Sequence, residues 1–185
     1  MKTTELDRWI EELAPFDSWN ERMIMTAFAL FGLPSSYLDV GSGTGAMVNL
    51  ARKIGVDAWG VDQIPRPDSW LVTGDLSQPL DLARQFALVT CLEIAEHIAP
   101  ESEAVLCDTV VRHVASSGLL VWSAAHPGQN GTGHVNCRPA NYWRTQMHDR
   151  DLTYQPEASV RLALLWSVIP TPQFWLAANL QIFSR

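Results

Sequence analysis

The chain predicts a doubly wound, Rossmann-like α/β fold: a mostly parallel sheet with helices on both faces and an antiparallel last strand. Three observations carry that expectation. Short apolar runs alternate with helical patterns between residues 35 and 125, and a glycine-rich turn joins the first run to its helix. At 185 residues, the chain has the size of one domain. Hydrophobic residues make up 47% and charged residues 18%, so a packed core is expected.

At the N-terminal end, Leu6, Trp9, Ile10 and Leu13 recur at helical spacing, with Pro15 as the expected stop. Ser18 followed by Glu21 has the form of a capping box for a second helix, whose apolar stripe is Met23, Ile24, Ala27, Phe28 and Phe31. Gly32 and Pro34 end it. Strands are expected at Tyr37–Val40, Ala58–Val61, Trp70–Thr73, Phe86–Leu92 and Leu119–Ser123. A helix through Met47, Leu50 and Ala51 follows the first strand, and Gly55 stops it. Another begins near Pro100 and buries Val105, Leu106, Val110 and Val114. Beyond residue 125 the reading gives a long polar loop, helices near 140–148 and 157–169, and a last strand from Phe174 to Phe183. The whole chain is read as a single domain of three segments: N-terminal helices (1–34), an alternating core (35–125), and a loop, helices and closing strand (126–185).

Composition narrows the function. A net charge of −7 and the absence of any basic run argue against a nucleic-acid acceptor, although a local basic groove is not forbidden. Cys91, Cys107 and Cys137 are too scattered for a metal-ligand pair, and Cys91 and Cys107 fall in apolar segments as small core residues. The charged start Met1-Lys2-Thr3-Thr4-Glu5 is unlike a signal peptide, so a cytoplasmic location is expected. Residues 162–184 carry no charge over about the length of a membrane span. Pro170 and Pro172 break that stretch, and Gln173, Asn179 and Gln181 are costly in lipid, so a buried helix and strand are expected instead.

The chemistry concentrates in Asp39-Val40-Gly41-Ser42-Gly43-Thr44-Gly45. Glycines let the chain turn sharply and approach a ligand, at the strand ends where open α/β sheets bind ligands. Gly41, Gly43 and Ala46 satisfy the G-x-G-x-x-A dinucleotide fingerprint, and Asp62 lies about 20 residues on, so an NAD(P)-dependent oxidoreductase is a rival reading. Three details favour a methyl donor. Asp39 suits a cationic amino-acid ligand better than a pyrophosphate, and Asp75 is placed to meet an adenine amino group. The chain after the fifth strand is also short for a second nucleotide-binding half plus a substrate domain.

These segments resemble the motifs of class I S-adenosylmethionine-dependent methyltransferases. The glycine turn is similar to their first motif, Val61-Asp62 to the second, Gly74-Asp75-Leu76 to the third, and Thr90–Ile98 to their fourth-strand segment. The resemblance implies that Asp39, Gly41, Gly43 and Gly45 cradle the methionine part of S-adenosylmethionine. Asp62, with Gln63 beside it, would meet the ribose, and Asp75 and Leu76 the adenine. Leu92 and Glu93 would line the donor pocket, the helices of residues 1–34 would form a lid over it, and residues 126–185 would supply the acceptor side. It implies methyl transfer to a small-molecule acceptor, by in-line attack on oxygen or nitrogen; a non-catalytic donor-binding subunit is a third reading.

Glu93, Glu96 and His97 share one face if the chain is helical there. Their pattern resembles that of ubiquinone-pathway O-methyltransferases and small-RNA 2′-O-methyltransferases, which implies a divalent metal such as Mg2+. The alternative is that they brace a helix, and His126 is a possible further ligand. In the loop after the fifth strand, His126, Gln129, His134 and Asn136 are candidates to bind the acceptor, with His126 and His134 the candidate catalytic residues. The same loop also reads as a plain connector. Asn141-Tyr142-Trp143 would stack on a flat acceptor or belong to the core, Trp175 is expected in packing, and His113 and His148 on helix surfaces.

Overall fold

The computed structural model describes residues 11–185. Its strands are β1 (Ser36–Val40), β2 (Asp57–Asp62), β3 (Leu71–Thr73), β4 (Phe86–Leu92), β5 (Val114–Ser123), β6 (Thr153–Tyr154) and β7 (Gln181–Ser184). Its helices are α1 (Asp17–Phe31), α2 (Ala46–Lys53), α3 (Glu103–Arg112), α4 (Ala140–His148), α5 (Pro156–Ser167) and α6 (Trp175–Ala178). The strands form one sheet in the order β3-β2-β1-β4-β5-β7-β6. β1 pairs in parallel with both β2 and β4, and β7 runs antiparallel between β5 and β6. The order reverses between β1 and β4, which opens a crevice at their carboxyl ends.

Alternation along the central strands explains why helices cover both faces. Leu38, Val89, Leu120, Trp122 and Phe183 pack with Leu106 and Val110 of α3 and Trp143 and Met147 of α4. Tyr37, Leu88, Val121 and Ile182 point the other way, onto Ile24 and Phe28 of α1, Val48 of α2 and Trp166 of α5. Among the described residues, no helix is long and apolar enough to cross a membrane.

Several expectations are corrected. Leu6, Trp9 and Ile10 lie outside the described residues. Pro15 sits within a 3-10 turn, Ala14–Phe16, through which the chain runs directly into α1. Because the chain enters α1 already helical, Ser18 lies inside the first turn and makes no cap. Val105 is only partly buried, and Val114 opens β5 rather than belonging to α3. β5 starts five residues before the expected Leu119: Val114 pairs with Phe86, and the register shifts between Phe86 and Leu88. Ser117, with φ 66°, and Gly118 made that bulge look like a turn.

The segment expected as a strand from Phe174 is helix α6 followed by β7. His113 is fully buried rather than on a helix surface. Its Nδ1 donates to Thr109 O (2.6 Å) and its Nε2 accepts from the Leu82 amide (2.9 Å), so both ring nitrogens are used inside the protein.

Trp122 and Trp143 are both fully buried, with ring centroids 5.2 Å apart, and they join β5 to α4. Trp143→Ala should cost roughly 3–5 kcal/mol in urea unfolding. Phe174→Ala, at a side chain 72% exposed, should change stability by less than about 0.5 kcal/mol.

Candidate active site

The turn after β1 is shaped by steric demands. Gly41 has φ 82°, and a Cβ there would lie 2.1 Å from Ile94 Cδ1. Its amide and that of Ser42 donate to Val61 O at 2.8 and 3.0 Å, which ties the turn to the end of β2. Gly45, at φ 81°, caps α2 and leaves no room for a Cβ beneath Leu71. Asp62 fixes the loop from below: Oδ2 accepts the Gly43 amide (2.8 Å) and Oδ1 the Ile64 amide (3.0 Å).

These elements surround a cavity of about 1280 Å3. That exceeds the roughly 300–1,000 Å3 of a typical single-ligand pocket, leaving room for two ligands. Asp39, Gly41, Gly43, Asp62 and Gln63 line it from the β1–β2 side, and Asp75 and Leu76 line it beyond β3. Leu92, Glu93, Glu96 and His97 line it after β4, and His126, Gln129 and His134 line it from the loop after β5. Gly45 lies outside the lining. So does Asn136, which is buried and donates to Glu103 Oε2 at 2.8 Å. Tyr142 also bonds Glu103, and Trp143 is core, so neither meets the cavity. The aromatic wall is formed instead by Phe16, Phe174 and Trp175.

The lining is strongly acidic. Six carboxylates contribute to it, from Glu12, Asp39, Asp62, Asp75, Glu93 and Glu96, and among the described residues no lysine or arginine does. Asp39 is the extreme case, with 1% of its surface exposed. Thr90 Oγ1 donates to its Oδ1 at 2.6 Å, and Tyr37 OH supports Thr90 at 2.8 Å. Its Oδ2 is buried without a hydrogen-bond partner among the described residues. Burial pushes the Asp39 carboxyl up to about 7, Thr90 opposes that rise, and the charge of Asp62 adds to it. A cation or donor delivered by a ligand is what this oxygen lacks. Asp75 is the opposite: exposed, and held below the usual carboxylate range by hydrogen bonds from Ser77.

The wall after β4 and β5 is organised by two networks. Glu93 holds a left-handed backbone (φ 53°), with its amide donating to Ser123 O at 2.9 Å. Its carboxylate accepts from Gln129 Nε2 (3.1 Å) and Asn179 Nδ2 (3.1 Å), and Asn179 also donates to Gln129 Oε1 (2.9 Å). Asn179 gave no sequence signal, because it follows a helix where a strand was expected. In the second network, the Val135 and Asn136 amides donate to Glu96 O at 2.8 and 3.0 Å, which folds the loop back onto the segment after β4. This brings His134 against His97, ring centroids 5.0 Å apart. Glu96, His97 and His134 place ligand atoms within 4.8 Å of one another; Glu93 and His126 stand outside that group. Burial, then the Glu93 charge, pushes Glu96 up to about 8, and burial and His134 hold His97 low.

Asp39 links stability to pH. Its folded pKa, about 7, lies above the unfolded value near 3.8. Its stability is therefore fully present below the unfolded value and lost as pH rises through about 7. Asp39→Asn removes the charge and keeps the Thr90 bond. In thermal denaturation of the ligand-free protein, its advantage over the native sequence should be larger at pH 8 than at pH 5, on the order of a few kcal/mol at most. An offset independent of pH would show that Asp39 titrates normally.

A family model described as a methyltransferase domain matches residues 5–126, about two thirds of the chain. No curated protein matches it in sequence. Solved structures share the fold. A sugar N-methyltransferase from Streptoalloteichus superposes with TM-score 0.65 at 16% identity, covering 92% of this chain and 87% of its own. A 1,6-didemethyltoxoflavin N1-methyltransferase from Burkholderia thailandensis, solved with its acceptor and S-adenosylhomocysteine, gives 0.65 at 14% identity, covering 94% and 80%. A putative methyltransferase complexed with a methyltransferase activator from Haloferax volcanii gives 0.64 at 13%, covering 100% and 98%. The chain belongs to the class I S-adenosylmethionine-dependent methyltransferases.

Proposed function

We propose that the chain transfers the methyl group of S-adenosylmethionine to a small, uncharged or cationic acceptor, at oxygen or nitrogen. The observation that carries this reading is the acidic cavity with the unpartnered Oδ2 of Asp39 at its base. S-adenosylmethionine brings a sulfonium and an ammonium, which such a cavity attracts. NAD brings a pyrophosphate, which a lining rich in acidic side chains, with no lysine or arginine among its described residues, would repel. The same field disfavours phosphorylated acceptors and nucleic acid.

In this reading, Asp39 and the Gly41–Gly43 turn take the methionine part, Asp62 and Gln63 the ribose, and Asp75 and Leu76 the adenine. Leu92 and Glu93 lie beside the sulfonium. The methyl carbon is already electrophilic, so the protein's main task is to align the acceptor behind the C–S bond. The loop after β5 supplies candidate bases. His126 Nδ1 lies 2.9 Å from Pro127 O; when it donates there, Nε2 keeps a lone pair that could take an acceptor proton. His134 is the other candidate. Phe174 and Trp175 offer an apolar face to the acceptor, a role that sugar and heterocycle acceptors of the fold relatives would also fit. Among the described residues, Glu12, Leu13 and Phe16 line one side of the cavity, and in this reading they belong to a lid that excludes water.

S-adenosylhomocysteine should raise the melting temperature, whereas NAD and NADP should leave it unchanged. With labelled S-adenosylmethionine, label should pass to neutral polyols or amines in preference to their phosphate esters. Stabilisation by NAD alone would overturn the reading; donor binding with no transfer to any acceptor would favour a binding subunit.

A further inference from the structure

Gln173, two residues ahead of α6, lines the cavity with its side-chain oxygen buried and no donor bonded to it among the described residues. The backbone there is fixed: the Gln173 amide donates to Thr171 Oγ1 at 3.0 Å, and Gln173 O accepts the Leu176 amide at 3.1 Å. A buried amide oxygen left unmatched is costly, and unlike a carboxylate it cannot take up a proton to relieve the cost. An N–H or O–H arriving in the cavity is what it lacks.

The next turn of chain adds two further groups. Trp175 and Asn179 stand one helical turn apart, joined by the Asn179 amide to Trp175 O at 2.8 Å, and both line the cavity. Phe174 packs against the indole edge to face, with ring centroids 5.4 Å apart. The two Nδ2 protons of Asn179 go to Glu93 and to Gln129 Oε1, which leaves its Oδ1 to accept.

We propose that Gln173, Trp175 and Asn179 form the subsite for the methyl acceptor, and that the acceptor is an amino polyol: a saturated ring or chain bearing amine and hydroxyl groups, as amino sugars do. The proposal deepens the methyl-transfer reading above and rests on it. The side-chain oxygens of Gln173, Asn179 and Glu93 all accept hydrogen bonds, so the ligand has to bring donors. Hydroxyl and protonated amine groups do so. The ring nitrogens and carbonyls of an alkylated heterocycle would set acceptor against acceptor. The indole of Trp175 takes the C–H face of a saturated ring and also attracts an ammonium. The carboxylates of Glu12 and Glu93 favour the same charge and oppose a phosphate.

The test uses the purified full chain saturated with S-adenosylhomocysteine, at pH 7, with D-glucosamine, D-glucose and caffeine as probes. Saturation-transfer NMR should show the ring protons of D-glucosamine in contact with the protein, and titration should rank it tightest. Caffeine, flat and without an N–H or O–H, should bind at least about tenfold more weakly. Gln173→Leu and Trp175→Ala should each weaken D-glucosamine binding about fivefold or more, whereas Gln173→Glu, which keeps an accepting oxygen, should retain it. The thermal shift given by S-adenosylhomocysteine verifies folding and donor binding in each variant. Donor binding with no saturation transfer to D-glucosamine, or with binding unchanged in Gln173→Leu, would overturn the subsite alone. Caffeine binding as tightly as D-glucosamine would overturn the acceptor class. Loss of S-adenosylhomocysteine binding in the native sequence would overturn the donor reading and the subsite with it.

Discussion

A carboxylate deprived of water holds this architecture to its purpose. Asp39 ends up buried because β1 is an interior strand, with β2 and β4 on its two sides and helices above and below. One oxygen is stabilised by the Thr90 hydroxyl, which Tyr37 supports in turn, and the other is left for whatever enters the cavity. A group placed this way destabilises the empty protein at neutral pH, and under the reading proposed above a cationic ligand relieves it, a trade of stability for binding common at functional sites. The turn depends on the same arrangement. Gly41 must be glycine because Ile94 occupies the space of a side chain, and Asp62 keeps the loop in place through the Gly43 amide.

The loop after β5 is built on different physics: polar anchors position it. Glu103, buried near the start of α3, gathers Asn136, Tyr142 and Arg138. That fixes the far end of the loop after β5, while Glu96 O holds its middle through two amides. The near end is held by Gln129, tied to Glu93 and Asn179. A segment dense in glycine is thereby given a defined path along the cavity. Buried polar networks of this sort are costly when incomplete.

The parallel half of the fold was legible in the sequence because its signals are local. Apolar runs of strand length, separated by helical periods and a glycine turn, give β1 to β4 within a residue or two. Asp39, Asp62, Gln63, Asp75, Leu76, Leu92 and Glu93, which line the cavity, could be picked out for the same reason, since each stands at or just beyond the end of a strand; that they hold the donor is the reading proposed above. What escaped depended on tertiary context. The bulge at Ser117 and Gly118 reads as a turn unless its partner strand is known. Helix α6 hides in an apolar segment whose length and composition suit a strand equally well. His113 looks like a surface residue at a helix end, and only the Leu82 amide explains its burial. Glu96 and His134 stand 38 positions apart in sequence, and backbone hydrogen bonds that no spacing rule contains bring them together.

The account turns on whether the donor ionises Asp39. Calorimetric titration with S-adenosylhomocysteine at pH 6, repeated in buffers of different ionisation enthalpy, counts the protons exchanged on binding. With the free carboxyl titrating at about 7, binding should release close to one proton per ligand, and the release should vanish in Asp39→Asn. Tight binding without proton release, or the same release in the variant, would contradict a receptor built around that buried charge.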